Sequence, residues 1–356
     1  MTPLARLLVQ RIAANGPISL ADYMAECLMH PTHGYYSTRD PFGAGGDFIT
    51  APEISQMFGE LLGLWLAQVW IDQGAPTPFT LAEMGPGRGT CMADALRATR
   101  RVPGFHAAMR VHLVETSPTL REVQRQTLAG TAVTWIEDVN ALPQAPLFLI
   151  ANEFFDALPI RQFQRDPAGW CERQVGVIDG QLAFGLSAPA PLATLEHRLA
   201  DTAPGEIVET CPAAGAIAGH LGAVIARHGG GALIVDYGGW HARGDTFQAL
   251  RAHTPESPLA SPGAADLTAH VDFEALAQAA RSQGARVSAM TPQGVFLERL
   301  GITARAQTLA RGLTGAALES HVAAHRRLTH PQEMGTLCQT IALTPRGVPA
   351  PPGLDP

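Results

Sequence analysis

Short apolar runs alternating with amphipathic stretches set the rhythm of the middle of this chain. Phe79 and Leu81 lead into Glu83, and MRVHLVE (109–115), VTWIED (133–138), PLFLIAN (146–152) and GALIVDYG (231–238) repeat the pattern. Between them lie segments of helical period: Cys91 to Arg101, SPTLREVQRQTLA with Ser117 as cap and Pro118 at its first position, and AAGAIAGHLGAVIARHG. Repeated βα units predict an open, mostly parallel sheet that binds ligands at the carboxyl ends of its strands. PLFLIAN is almost continuously apolar, which suits a strand buried on both faces.

The flanks read differently. Apolar residues at 4, 7, 8 and 12 give an amphipathic helix stopped by Asn15-Gly16-Pro17, and PISLADYMAECL continues directly from it. Two arginines without an acid leave a transit peptide as the lesser reading. Residues 1–75 are expected to form a largely helical portion around the glycine-rich loop PFGAGGDFIT, and residues 76–345 the main domain. Within it, 161–208 carries Asp-Pro, Ala-Gly and Asp-Gly breaks that predict inserted antiparallel hairpins. Residues 254–266 read as a proline-rich loop, 271–284 as a helix, ARVSAM as a strand, 296–328 as mostly helical and 338–345 as a closing strand. The tail 346–356 is expected to be disordered.

Composition narrows the function. The 25 basic residues are all arginine, so a lysine nucleophile, a Schiff base and a lysine phosphate loop are excluded. A net charge of −7 argues against a nucleic-acid binder and suits a cationic ligand or partner. Cysteines at 27, 91, 171, 211 and 338 have neither disulfide-framework nor zinc spacing. That pattern fits a reducing compartment, the cytoplasm for a bacterial-looking chain or the mitochondrial matrix for a eukaryotic one. No apolar run approaches the roughly 20 residues of a membrane span. His30, His33 and His270 are isolated, without metal-ligand spacing, and read as structural histidines.

The segment LAEMGPGRGT (81–90) carries the most specific chemistry. Glycines at 85, 87 and 89 follow Glu83, whereas a dinucleotide fingerprint counted from Gly85 would need glycine where Thr90 stands. G-x-G-x-G behind an acid is similar to motif I of the class I S-adenosylmethionine (SAM) methyltransferases. Glu83, Glu115, Asp138 and Glu153 end successive strands or the turns after them. In a cofactor reading Glu115 accepts the ribose hydroxyls, Asp138 lies near the adenine amine, and Glu83 anchors the turn near the methionine end. The fourth strand runs into NEFFDALP, where Asn152, Glu153 and Asp156 crowd beside Phe154 and Phe155. Carboxylates so placed need cationic partners, and a guanidinium, which paired acids grip bidentately, suits them.

GGDFITAPEISQMFGE (45–60), EMGPGRGT (83–90), HLVETSPTLR (112–121), NEFFDALP (152–159), IVDYG (234–238) and ADLTAHVDF (265–273) occur in that order. Together they resemble the MidA-type methyltransferase family, over roughly residues 16–345. The resemblance implies a class I SAM-methyltransferase sheet with helices on both faces, an N-terminal helical portion and inserted elements. It implies SAM as cofactor and an arginine of a protein as acceptor; mitochondrial members are complex I assembly factors that methylate a core subunit. Carried over by motif, Glu83, Gly85, Pro86, Gly87, Gly89 and Glu115 are cofactor candidates, and Asp138 joins them by its place at a strand end. Thr50, Pro52, Glu53 and Ser55 join them as a block closing over the cofactor, with Phe48 as a candidate wall. Glu153, Asp156 and Asn152 are the catalytic candidates, Glu153 foremost. Cys211 stands where a serine is expected, and Met84 where leucine is commoner. Two alternatives remain open: a SAM-binding assembly chaperone without turnover, and a small-molecule methyltransferase roofed by 161–208. The sequence leaves the oligomeric state open.

Overall fold

The computed structural model describes residues 1–38, 50–241 and 243–355. Its centre is a sheet whose main strands are β1 (Phe79–Met84), β2 (Met109–Val114), β3 (Val133–Ile136), β4 (Leu147–Asn152), β5 (Gly230–Gly239) and β6 (Cys338–Thr344). They lie in the order β6-β5-β4-β1-β2-β3. The first five by sequence are mutually parallel, and β6 runs antiparallel to β5. The chain builds outward from β1 to β3, then returns to β4 on the other side of β1. That reversal opens a crevice at the carboxyl ends of β1 and β4, the usual ligand position in such sheets.

Alternation along the strands explains why both faces are covered. Leu81, Val111, Leu113, Phe148, Ile150, Leu233 and Val235 pack into one core with α3 (Gln56–Asp72) and α4 (Thr90–Thr99). Ala82, Met84, Val114, Leu147, Leu149, Ala151, Ala232 and Ile234 face the other way, against α6 (Pro212–His228) and α7 (Phe273–Ser282). Helix α5 (Pro118–Thr127) starts as its sequence predicts: Ser117 Oγ accepts from the Leu120 amide and Pro118 opens the first turn.

The helices α1 (Pro3–Asn15) and α2 (Leu20–Met29) do not join α3 in one N-terminal unit. Leu4, Leu8, Tyr23 and Met24 pack with Ile160, Val175, Phe247 and Leu267, so these helices belong with the inserted strands. The hairpins expected over 161–208 are present as antiparallel strands at Arg161–Asp166, Gly169–Ile178 and Gln181–Leu186, with Ile207–Thr210 pairing alongside. A second insertion follows β5: Gln248–Arg251, Thr254–Glu256 and Asp266–Thr268 form a small antiparallel sheet. The stretch read as a proline-rich loop therefore contributes one strand, and the first residue of another, to that sheet. ARVSAM contributes only Arg286–Val287.

The tail expected to be disordered is packed. Trp65 Nε1 donates to the Pro352 carbonyl at 2.9 Å, the Ala289 amide donates to Asp355 O at 2.9 Å, and Leu354 is buried in the α3-side core. Prolines with fixed φ lower the entropy lost on ordering such a segment, and Leu354 supplies the apolar surface that holds it. Among the described residues no helix is long and apolar enough to cross a membrane.

Candidate active site

A cavity of about 770 Å³ opens at the carboxyl edge of the sheet, within the roughly 300–1,000 Å³ usual for small-molecule sites. Its lining comes from two sets of elements, which we call its two arms: the turn after β1, Glu115 and residues 137–140 form one, and Leu28 and Met29 of α2 with Leu250 and Asp266 of the second insertion form the other. The turn after β4, with Asn152, Glu153 and Asp156, lies between the two sets of elements and lines the same cavity. No residue of 161–208 lines it, whereas α2 and the second insertion both contribute to its wall.

The turn after β1 depends on its glycines. Gly85, Gly87 and Gly89 have φ of +59°, +53° and +81°, a region costly to residues with a side chain. A Cβ on Gly85 would also lie 2.9 Å from the Phe154 ring. Gly85, Pro86 and Gly87 line the cavity, while Gly89 starts α4 and packs over Gln124 and Leu128 behind it. Beneath the turn, Glu83 is buried and lines the cavity, and its Oε2 has no protein partner. Burial pushes its pKa up to about 8, against the Cys91 thiol and the Met92 amide, which favour the charged form.

Glu115 also lines the cavity. Its Oε1 accepts from the Ser117 amide at 2.8 Å and its Oε2 from Gln124 Nε2 at 3.1 Å. Gln124, wholly buried, donates to the Gly87 carbonyl at 2.7 Å and accepts from Trp135 Nε1 at 2.8 Å. One amide thus ties the glycine turn, the acid after β2 and the indole of β3 together. Asp138 lines the far end, its Oδ1 accepting from the Asn140 amide and side chain at 2.9 and 2.8 Å.

The turn after β4 gathers acids. Glu153 has φ of +47°, strained for a residue with a side chain. Its Oε1 accepts from the Ala51 amide (3.1 Å) and Asn152 Nδ2 (3.2 Å), and its Oε2 from the Tyr237 hydroxyl (3.0 Å). Asp156 Oδ1 and Asn152 Oδ1 are buried and unpartnered. Asp236, in the carboxyl half of β5, accepts from the amides of Phe154, Phe155 and Asp156. Across the cavity Tyr36 donates its hydroxyl to Asp266 Oδ1 at 2.8 Å. Burial first, then the neighbouring Asp236, Glu153 and Asp266 charges, drives the Asp156 pKa far above the ordinary carboxylate range. Burial likewise raises Glu153 and Asp236.

The block after position 49 docks on this site. Thr50, Pro52 and Glu53 line the cavity, and Glu53 Oε1 accepts from the Thr90 hydroxyl at 2.5 Å with Arg88 at 3.7 Å from Oε2. Ser55 does not line the cavity: its Oγ accepts from the Met57 amide and caps α3. Phe48 lies outside the described residues. His270 lines the cavity, whereas His30 and His33 stack on each other at 5.2 Å between centroids.

Four residues of this geometry escaped sequence reading. Gln124 is a polar position of the helix after Ser117 that lies four residues after Leu120, on the same buried face. Tyr36, Asp236 and Asp266 come from segments far apart in the chain, and IVDYG and ADLTAHVDF were legible only as blocks, not as roles.

A pH dependence follows from the buried acids. Glu83 has a folded pKa of about 8 against an ordinary 4.5, so the unfolded chain gives up its proton first as pH rises. Its contribution to stability is complete below pH 4.5 and is lost as pH climbs through 8; Glu115, Glu153 and Asp156, also raised, act in the same sense. The ligand-free protein should therefore melt at a lower temperature at pH 8 than at pH 5.5, and adding SAM should narrow the gap. A scanning-fluorimetry pH series in which the midpoint rises toward pH 8 would show that these acids are ionised at no cost.

Comparison with known proteins agrees with this geometry. A family model described as an S-adenosyl-L-methionine-dependent methyltransferase matches residues 61–291. The mitochondrial protein arginine methyltransferase NDUFAF7 of Mus musculus is 38% identical, covering 97% of this chain and 85% of its own. Its Drosophila melanogaster homologue is 37% identical over 96% of this chain and 85% of its own. A crystal structure of a methyl-transferase-like protein from Burkholderia thailandensis bound to S-adenosyl-homocysteine superposes with a TM-score of 0.84 at 32% identity, covering 98% of this chain and 93% of that one.

Proposed function

This chain belongs to the S-adenosyl-L-methionine-dependent methyltransferase family, and from that premise we propose that it methylates an arginine of a protein substrate. The observation that carries the acceptor is the turn after β4. Asp156 Oδ1 and Asn152 Oδ1 are buried acceptors without donors, on a cavity wall crowded with carboxylates. A buried acceptor left unsatisfied costs roughly 1–3 kcal/mol, and a guanidinium brings five donors and a positive charge.

The other arm suits SAM. Glu83 leaves one buried oxygen unpartnered, the glycine turn leaves room where a side chain would strike Phe154, and Glu115 offers a held carboxylate. SAM supplies an electrophilic methyl group on a sulfonium. The chain's own residues do the rest: Glu83 and Glu115 orient the cofactor's polar ends, and the β4 turn holds the guanidinium. Asp156 takes the proton that a guanidinium nitrogen loses as it is methylated. A carboxylate with a raised pKa suits that last role.

The complex I core subunit implied by the family resemblance is the acceptor to test first. The unpartnered Asp156 Oδ1 supports turnover over a chaperone that only grips its partner. The five free cysteines support a reducing compartment, the cytoplasm in this reading. The test is incubation with methyl-labelled SAM and heat-treated cell lysate, then mass spectrometry of labelled bands. Methylarginine in a discrete protein is the expected result. Label confined to small molecules, or to another residue type, contradicts it.

A further inference from the structure

We propose that Asp236 is a positioning residue for methyl transfer: from the carboxyl half of β5 it fixes the turn that carries Glu153 and Asp156, and so governs the acceptor step without contributing to cofactor affinity. Its Oδ2 accepts from three successive amides, Phe154 (3.1 Å), Phe155 (2.8 Å) and Asp156 (3.4 Å), and its Oδ1 from the Tyr237 amide at 2.9 Å. A run of amides converging on one anion is a nest, here occupied by the chain's own carboxylate. No solvent reaches it, since Asp236 is 0% exposed. The turn needs such a tie because Glu153 sits at φ +47°, a left-handed backbone that a residue with a side chain adopts only when its surroundings hold it there. Among the described residues one further backbone bond, Glu153 N–H to the Val235 carbonyl, holds it to β5. Asp236 itself is absent from the cavity lining, so it acts through the turn and not on a ligand.

Asp236 acts on Asp156 in a second way, as a neighbouring buried charge. Asp156 faces Asp236 and Tyr237 from β5, Glu153 from its own turn, Asp266 from the second insertion, Tyr36 from the segment after α2 and Cys338 from β6. In the transfer, a guanidinium nitrogen gains the methyl carbon and sulfur keeps the electron pair of the broken S–C bond. The nitrogen's proton passes to Asp156 Oδ1, so Asp156 must be ionised beforehand. A second carboxylate charge beside it raises the pH at which that happens. Removing the charge moves the acid limb of the pH–rate profile to lower pH.

This inference rests on the arginine-acceptor reading, and the test separates the two. Full-length wild type, Asp236→Ala and Asp236→Asn are compared for SAM affinity by calorimetry and for transfer from labelled SAM into heat-treated lysate across pH. Asp236→Ala, which empties the nest, should lose kcat at least a hundredfold while SAM affinity stays within about twofold. Asp236→Asn keeps an oxygen for the three amides, so it should remain active with its acid limb displaced to lower pH. An acid limb that stays in place in Asp236→Asn overturns the proposal, whether or not Asp236→Ala folds. A wild-type rate in a folded Asp236→Ala, or SAM affinity falling in step with kcat, also overturns it. A wild type that methylates no arginine takes down the acceptor reading as well, and the wild-type control identifies that case.

Discussion

Asp156→Asn is expected to bind SAM as the wild type does and to transfer methyl groups at least a hundredfold more slowly. The substitution keeps size and shape in a site that is 5% exposed, so folding should survive. It removes the carboxyl that ionises when a cationic acceptor enters beside it, and with it the base that takes the acceptor's proton. An opposite charge at about 4 Å is worth about 4 kcal/mol at an effective dielectric near 20, and each 1.36 kcal/mol is roughly tenfold in rate. Single-turnover kinetics beside a SAM titration measures both quantities. Glu153→Gln should be milder. Both Glu153 oxygens already accept from Ala51, Asn152 and Tyr237, and an amide in their place keeps part of that scaffold. This reverses the order in which the sequence alone ranks the two acids. Full turnover in Asp156→Asn would place the acceptor elsewhere.

Gly85→Val should abolish measurable SAM binding and leave a folded protein. A β-branched residue at φ +59° costs roughly 1–2 kcal/mol in backbone strain alone. Its Cβ would also sit 2.9 Å from the Phe154 ring. Relief comes only by moving Phe154 or the turn, and both line the cavity. The core beneath is untouched, because Ala82 and Met84 face α6 and α7 from β1 itself. Calorimetry with a thermal melt on the same sample checks this. Wild-type affinity in a folded Gly85→Val variant would move the cofactor off the turn.

Most of the sheet was legible because its strands obey local rules. The continuous apolar run at 147–152 demands two covered faces, and Ser117-Pro118 demands a helix start. The glycines at 85 and 87 and the acids at 83, 115, 138 and 153 stood out because their spacing is tied to strand ends, where the cavity now lies. What stayed hidden depends on contacts between distant segments. Ser55 reads as a site residue by motif, but its hydroxyl is consumed in capping α3. The tail reads as disordered by composition, yet Leu354 and bonds from Trp65, Arg286, Ala289 and Arg299 hold it. Asp266 reaches the acid cluster through the pairing of 248–250 with 266–268, which no periodicity announces.

The most direct measurement is a crystal structure of this protein with S-adenosyl-homocysteine and an arginine-containing peptide. The product should lie along Gly85–Gly87 and Glu115 with its sulfur toward the β4 turn, and the guanidinium should contact Asp156 Oδ1 and Asn152 Oδ1. Product bound in the arm between α2 and Asp266, or a guanidinium held away from Asp156, would contradict the division of the cavity into a cofactor arm and an acceptor arm.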